Sequence, residues 1–192
     1  MKQLSYHSRF ILVLLFTLLN TLPICSQAAT PRYRIAACDW MMLKRQKLGE
    51  FKLAHELGAD VTNEEIIDAA NKMLVEIPDE KKERLLQLKK AGYRLFLLSN
   101  TIDIHWDYCV EHLFPYRNHG VEDYFEHCFL SQRMHLAKPD ARIYEEVVKQ
   151  ANIYPDETLF IDDLKENCEA AEKLGIHTFQ NVKFDDWLSL RF

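Results

Sequence analysis

The stretch "LFIDDLKENCEAAEKLG", residues 159–175, joins a short apolar run to a helical pattern through two adjacent aspartates. One Asp would suffice as a helix cap, whereas a second carboxylate beside it adds like-charge repulsion. Asp162 and Asp163 become reasonable neighbours if a divalent cation such as Mg²⁺ binds there, because hard cations take oxygen ligands. The stretch therefore predicts a strand and a helix, with either a cap or a metal site between them.

The same alternation of short apolar runs and helical patterns extends over residues 78–180. The runs are too short for helices and are typical of buried strands; they are "YRLFLLS" (93–99), "HCFLS" (127–131), "TLFI" (158–161) and "IHTFQ" (176–180). The intervening patterns predict helices, among them "IDIHWDYCVEHLF" (102–114), "DARIYEEVVKQA" (140–151) and "KENCEAAEKL" (165–174). Such alternation favours an α/β fold with a parallel, Rossmann-like sheet and helices on both faces.

Composition limits the classes of function. The chain has 192 residues, 48% of them hydrophobic and 28% charged, which is typical of a globular domain with a packed core. A net charge of −5 without a basic block argues against a nucleic-acid partner. Helical patterns broken near Gly58 predict a reduced helical cap over residues 44–77, in front of an α/β core over residues 78–192.

The first 29 residues have the composition of an export signal. Lys2 and Arg9 precede the apolar run "FILVLLFTLLNTLPI" (10–24), and small residues follow it. A membrane-spanning helix needs about 20 apolar residues, so we expect a signal peptide and a periplasmic or exported protein rather than a stable membrane span. Isolated cysteines, Cys109 among them, fit a reducing compartment, so a cytoplasmic location is the alternative.

Polar side chains follow three successive predicted strands. Because ligands of such sheets bind at the carboxyl ends of the strands, we expect these side chains to share one site. Hydroxyls and a lysine suit an anion, and paired carboxylates facing it would need a bridging cation. The sequence therefore predicts a Mg²⁺–phosphate site built from Ser99, Asn100 and Thr101 after the first strand, Lys138 after the second, and Asp162, Asp163 and Asn167 after the third.

The order hydroxyl, lysine, acid pair, together with the segments "LFLLSNT", "HLAKPDARIYE" and "TLFIDDLKENCEAAEKLGIHT", closely resembles the haloacid dehalogenase-like hydrolases. The resemblance covers about residues 50 to 190 and is to the subgroup with a helical cap after its first strand. It implies a Mg²⁺-dependent phosphatase acting on a small phosphorylated metabolite. The implied roles are phosphate binding by Ser99, Asn100 and Lys138, Mg²⁺ binding by Asp163 with Asp162 beside it, and support of the loop by Asn167.

The segment expected to carry the catalytic nucleophile departs from the family pattern. Members of this family attack with an Asp at the end of their first strand. Residues 30–43 contain a weak apolar run with Asp39, but Met41 stands where many relatives carry a second Asp. Asp39 is either a working nucleophile behind a small cap, or part of a replaced N-terminus in a non-catalytic phosphate-binding or interaction protein, or part of a rearranged chain without the true first strand. Dehalogenation is disfavoured, because that chemistry needs no cation.

Overall fold

The structure, a computed structural model, describes residues 10–13, 63–72 and 74–191. The strands within them are β1 Phe10–Val13, β2 Arg94–Ser99, β3 His127–Leu130, β4 Thr158–Asp162 and β5 His177–Gln180. The α-helices are α1 Asn63–Asn71, α2 Asp79–Lys90, α3 Asp103–Tyr108, α4 Val121–Tyr124, α5 Ser131–Met134, α6 Ala141–Ala151 and α7 Lys165–Glu172. A π-helical turn, Cys109–Leu113, continues α3, and short 3₁₀ helices span Pro155–Glu157 and Asp186–Ser189.

The strands form one sheet in the order β3-β2-β1-β4-β5, and all neighbouring pairs are parallel. In the middle, Leu12 pairs with Phe96 of β2 on one side and with Phe160 of β4 on the other. The predicted α/β fold with a parallel, Rossmann-like sheet is confirmed. Because every strand runs the same way, the carboxyl ends of β2, β3 and β4 meet at one edge, where ligands of such sheets bind.

The central strand differs from the sequence prediction. β1 is formed by Phe10–Val13, which lie inside the segment predicted as an export signal, whereas the first strand was predicted within residues 30–43. A run such as "FILV" meets the demands of a signal core and of a strand buried in a parallel sheet equally well, so apolarity alone could not separate the two. Residues 30–43, with Asp39, lie outside the described residues.

Two compact units divide the chain, one comprising residues 19–75 and the other residues 1–18 with 76–192. The described part of the first unit contains α1, which lies within residues 44–77, the segment predicted as a helical cap. The other described residues of the predicted cap, up to residue 77, contain no further helix or strand.

The core of the second unit packs on both faces of the sheet. On one face, Phe96 and Leu98 of β2 join a cluster that includes Tyr144 of α6 and Ala171 of α7. The residues of β2 that alternate with them are also buried, at 0% exposure for Leu95, because a strand covered on both sides is apolar at successive positions. Ser99 continues this alternation at the end of β2 and is therefore buried despite its hydroxyl.

A buried lysine attaches the C-terminal segment to α2. The Lys81 ammonium donates to the carbonyl of Phe184 and lies 3.2 Å from the Asp185 carboxylate. Burial lowers the pKa of Lys81, and the hydrogen bond and charge of Asp185 oppose that shift. Trp187 follows in the same segment and is fully buried, so the last turn of the chain belongs to the packed core.

Candidate functional site

The predicted site residues lie at the carboxyl edge of the sheet. Ser99 is the last residue of β2, Asp162 is the last residue of β4, and Lys138 lies in the loop between α5 and α6. All three are buried, with exposed fractions of 1% for Ser99, 5% for Lys138 and 2% for Asp162. Asp163 follows β4 and is half-buried, so a carboxylate is accessible beside the buried group.

Lys138 and Asp162 form an ion pair at this edge. The ammonium of Lys138 donates to Asp162 Oδ2 at 2.9 Å and to the backbone oxygen of Leu98 at 3.2 Å. Burial lowers the pKa of the Lys138 ammonium, while the charge and hydrogen bond of Asp162, and then the charge of Asp163, oppose that shift. The lysine therefore brings positive charge into a buried position that its acidic neighbours stabilise.

Asp162 is engaged through both of its carboxylate oxygens. Besides the bond from Lys138 to Oδ2, Oδ1 accepts from the backbone N–H of Leu164 and from Asn167 Nδ2, each at 2.9 Å. Asn167 is itself buried, and its backbone oxygen accepts from the hydroxyl of Tyr144 at 3.0 Å. Asp162 thus closes the turn between β4 and α7 and balances Lys138, whereas Asp163 beside it is only half-buried.

Ser99 presents a buried hydroxyl to the same edge. Its Oγ has no hydrogen-bond partner among the residues that the structure describes, although its exposed fraction is only 1%. A buried hydroxyl left unpaired costs on the order of 1–3 kcal/mol. A ligand with hydrogen-bonding oxygens would remove that cost, which makes Ser99 the clearest sign of a binding site.

The loop after β2 is bonded to two other loops. Asn100 Nδ2 donates to the backbone oxygen of Lys138 at 3.0 Å, and the backbone N–H of Lys138 donates to Asn100 Oδ1 at 2.9 Å. The backbone N–H of Thr101 donates to Ser131 Oγ at 3.0 Å. Sequence reasoning overlooked Ser131, although it is the last residue of a predicted strand and the strand-end rule would have included it.

The described residues fit one part of a Mg²⁺ site. Within the described ranges, no group of three or more His, Cys, Asp or Glu side chains could hold a metal ion by itself. Mg²⁺ commonly takes one or two carboxylates and completes its shell with phosphate oxygens and waters. Asp163 provides one such carboxylate, and its charge acts on Lys138, so the donor set fits Mg²⁺ bound together with a phosphate group.

The cysteines of the described part are not suited to act as nucleophiles. Cys109, Cys128 and Cys168 are free thiols, and burial raises their pKa values to about 12, about 12 and about 11, respectively. A thiol with so high a pKa stays protonated at neutral pH and is a poor nucleophile. These residues therefore act as small hydrophobic side chains.

Comparison with known proteins identifies the family of the chain. The profile of the haloacid dehalogenase-like hydrolases matches residues 45–180. The chain belongs to this family. It is 30% identical over 143 residues to a D-ribitol-5-phosphate phosphatase of Bacteroides thetaiotaomicron, covering 74% of this chain and 66% of that one. It is 28% identical over 107 residues to a glyceraldehyde 3-phosphate phosphatase of Pyrococcus furiosus, covering 55% and 41%. The chain thus spans less than two thirds of each of these relatives.

Solved structures of the family agree with the fold. A haloacid dehalogenase-family enzyme from Bacteroides thetaiotaomicron is 40% identical, with a TM-score of 0.73 over 81% of this chain and 79% of that chain. A complex of the wild-type enzyme with magnesium and inorganic phosphate is 35% identical, with a TM-score of 0.71 over 90% and 93%. Within residues 63–72 and 74–191, none of this chain's helices combines the length and apolarity needed to cross a bilayer.

Proposed function

We propose that this site binds the phosphate group of a small phosphorylated metabolite together with Mg²⁺, and that its chemistry is the hydrolysis of a phosphate ester. The observation that carries the proposal is the buried hydroxyl of Ser99, which has no hydrogen-bond partner within the described ranges and lies at the sheet edge that also holds the Lys138 ammonium. The names of the phosphatase relatives, which act on ribitol 5-phosphate and glyceraldehyde 3-phosphate, support a small phosphorylated substrate.

Each residue has a distinct task in this proposal. Ser99 donates a hydrogen bond to a phosphate oxygen, and Lys138 places positive charge beside the phosphate. Asp163 holds the cation, which when bound supplies further positive charge to the phosphate oxygens. Asp162 and Asn167 keep the lysine and the turn after β4 in place through the bonds at Oδ1 and Oδ2.

Hydrolysis through a covalent intermediate needs an attacking carboxylate. We assign that task to Asp39, which is outside the described residues. The sequence after β1 continues with Leu14, Leu15 and Phe16, and Asp39 is the first Asp or Glu of the chain. This absence of an acid directly after the central strand favours a second candidate, a phosphate-binding protein with little or no turnover.

The test combines binding with turnover. The full chain is titrated with inorganic phosphate in the presence of Mg²⁺, and hydrolysis of an aryl phosphate is followed in parallel. We expect phosphate binding that Ser99→Ala weakens, and slow hydrolysis that Asp39→Asn abolishes without loss of phosphate binding.

Three other results have defined meanings. No phosphate binding with or without Mg²⁺ refutes the site. Binding without hydrolysis establishes the second candidate. Vigorous Mg²⁺-dependent hydrolysis that survives Asp39→Asn shows that another carboxylate attacks the substrate.

A further inference from the structure

The Asn100 side chain is paired with the backbone of Lys138. Its amide nitrogen donates to the Lys138 carbonyl at 3.0 Å, and its amide oxygen accepts from the Lys138 N–H at 2.9 Å. Asn100 therefore bonds Lys138 as a neighbouring strand would, through both the N–H and the C=O of that residue. Since these two bonds join the loop after β2 to the loop before α6, they fix the distance between the two loops.

Both the backbone and the side chain of Lys138 are therefore bonded to residues around the end of β2. Its backbone is bonded to Asn100, and its ammonium donates to the backbone oxygen of Leu98 at 3.2 Å. Ser99 lies between these two anchoring residues in the sequence. Any shift of the Lys138 loop would therefore change the position of the ammonium relative to the Ser99 hydroxyl.

Ser131 fixes the next residue of the same loop. Its Oγ accepts from the backbone N–H of Thr101 at 3.0 Å and donates to the backbone oxygen of Thr101 at 3.2 Å. Ser131 is 4% exposed, so water does not compete freely for these bonds. The loop that follows Ser99 is thus bonded on one side to the first residue of α5 and on the other to Lys138.

We propose that Asn100 and Ser131 are positioning residues, which set the separation of Ser99 and Lys138 instead of touching the phosphate themselves. This inference rests on the proposed function, because the separation matters only if both groups bind one phosphate. The separation of Ser99 and Lys138 matters because displacing a group of the site by about 1 Å can cost on the order of a hundredfold in activity. One hydrogen of the Asn100 amide is left over, so direct contact with phosphate is the alternative that the test has to separate.

A double-mutant cycle separates the two roles, with the dissociation constant of inorganic phosphate in Mg²⁺ as the readout. If Asn100 acts through Lys138, Asn100→Ala weakens phosphate binding by about tenfold in the wild-type background and by less than about twofold in Lys138→Met. Equal losses in both backgrounds would mean that Asn100 contacts the phosphate directly, which overturns the proposal.

Ser131 is tested by truncation and by rescue. Ser131→Ala should weaken phosphate binding several-fold, and Ser131→Thr, which keeps a hydroxyl, should restore most of the affinity. Failure of Ser131→Ala to change the affinity overturns the role of Ser131. The matched controls are Asn118→Ala and Ser189→Ala, because both side chains are exposed and distant in the sequence from the loop.

Folding is checked by circular dichroism for each variant. If Asn100→Ala does not fold, Asn100→Ser is used in the same cycle, with the same two outcomes. Absence of phosphate binding by the unaltered chain overturns the proposed function and this inference with it. Binding by the unaltered chain with additive losses overturns this inference alone, so the two failures are distinguishable.

Discussion

Lys138 and Asp162 form a completely buried ion pair, with Nζ 2.9 Å from Oδ2 and side-chain exposures of 1% and 0%. Removal of either partner leaves a charge that water cannot reach, which is far more costly than loss of an exposed pair. The pair thus connects the loop before α6, which carries Lys138, to the end of β4, which carries Asp162.

We expect Lys138→Met to lower the free energy of unfolding by roughly 3–5 kcal/mol, because Asp162 remains buried without its cation. Urea unfolding followed by circular dichroism measures the change. The control is Lys165→Met, whose partner Glu169 lies 2.8 Å away with both side chains exposed, and it should cost at most about 0.5 kcal/mol. Adding Asp162→Asn to Lys138→Met should recover part of the loss; a further large loss would contradict this account.

The adjacent aspartates should respond differently to the same substitution. Asp163→Asn should abolish Mg²⁺-dependent phosphate binding and leave the fold intact, because Asp163 is half-buried and follows the strand. Asp162→Asn should destabilise the protein, because it removes the charge that balances Lys138. Titration calorimetry and thermal unfolding measure the two effects, with exposed Asp156→Asn as the control. Unchanged Mg²⁺ affinity in Asp163→Asn would exclude that residue as a ligand.

Alkaline pH should lower the free energy of unfolding partly through Cys109. Burial raises the pKa of its thiol from 9.0 to about 12, so the unfolded chain loses this proton before the folded chain does. The resulting stabilisation is complete below about pH 9 and is lost as the pH rises towards 12. Cys109→Ala lowers the free energy of unfolding by creating a cavity. The difference in this free energy between the variant and the wild type should become smaller as the pH rises above about 9. Urea unfolding at pH 8, 9 and 10 on both proteins tests this, and a constant difference would contradict it.

Substitution of Gly92 should destabilise the protein because of the backbone conformation at this position. It follows α2 with a φ of +92°, and a Cβ built there would meet nothing within 4 Å. Gly92→Ala should therefore cost about 1–2 kcal/mol through conformational strain alone. Thermal unfolding measures the loss, and Gly92→Asn should cost less because Asn tolerates positive φ better than Ala. Equal stability of Gly92→Ala and wild type would rule out this account.

The segment predicted as an export signal includes Phe10–Val13, the residues of β1. Cleavage after Ala28 would remove Phe10–Val13 and leave β2 and β4 without their shared partner. We expect a chain of residues 29–192 to lose cooperative unfolding, and cooperative unfolding of that chain would show that β1 is dispensable. Mass spectrometry of the protein expressed with its own N-terminus decides the matter in cells. A mature chain beginning near Ala29 supports export, and an intact N-terminus supports the strand.

Much of the fold could be predicted because its signals are local. The short apolar runs at residues 93–99 and 158–161 agree with β2 and β4 to within a residue, and the helix predicted at 140–151 agrees equally well with α6. β1 could not be found in this way, because four apolar residues have no period that distinguishes a central strand from a signal core. Its identity depends on pairing with residues far along the chain.

The position of several candidate residues at the sheet edge could be predicted, but their hydrogen-bond partners could not. Strand-end position predicted that Ser99, Lys138 and Asp162 would meet. It could not show that Asp162 uses both of its oxygens within the protein, since that depends on where the Lys138 ammonium and the Asn167 amide point. The pairing of Asn100 with the Lys138 backbone was likewise invisible, because an amide beside a strand end is equally suited to a ligand.

The position of β1 has a consequence for the order of folding. Phe10 pairs with Arg94, 84 positions later (94 − 10), and with Thr158, 148 positions later (158 − 10). Closing loops of such length is slow compared with forming local helices. Until both pairings exist, β2 and β4 present open inner edges to any other extended chain. β1 is therefore synthesised before β2 and β4 but is among the last strands to pair. The partly assembled sheet is the species most prone to aggregation.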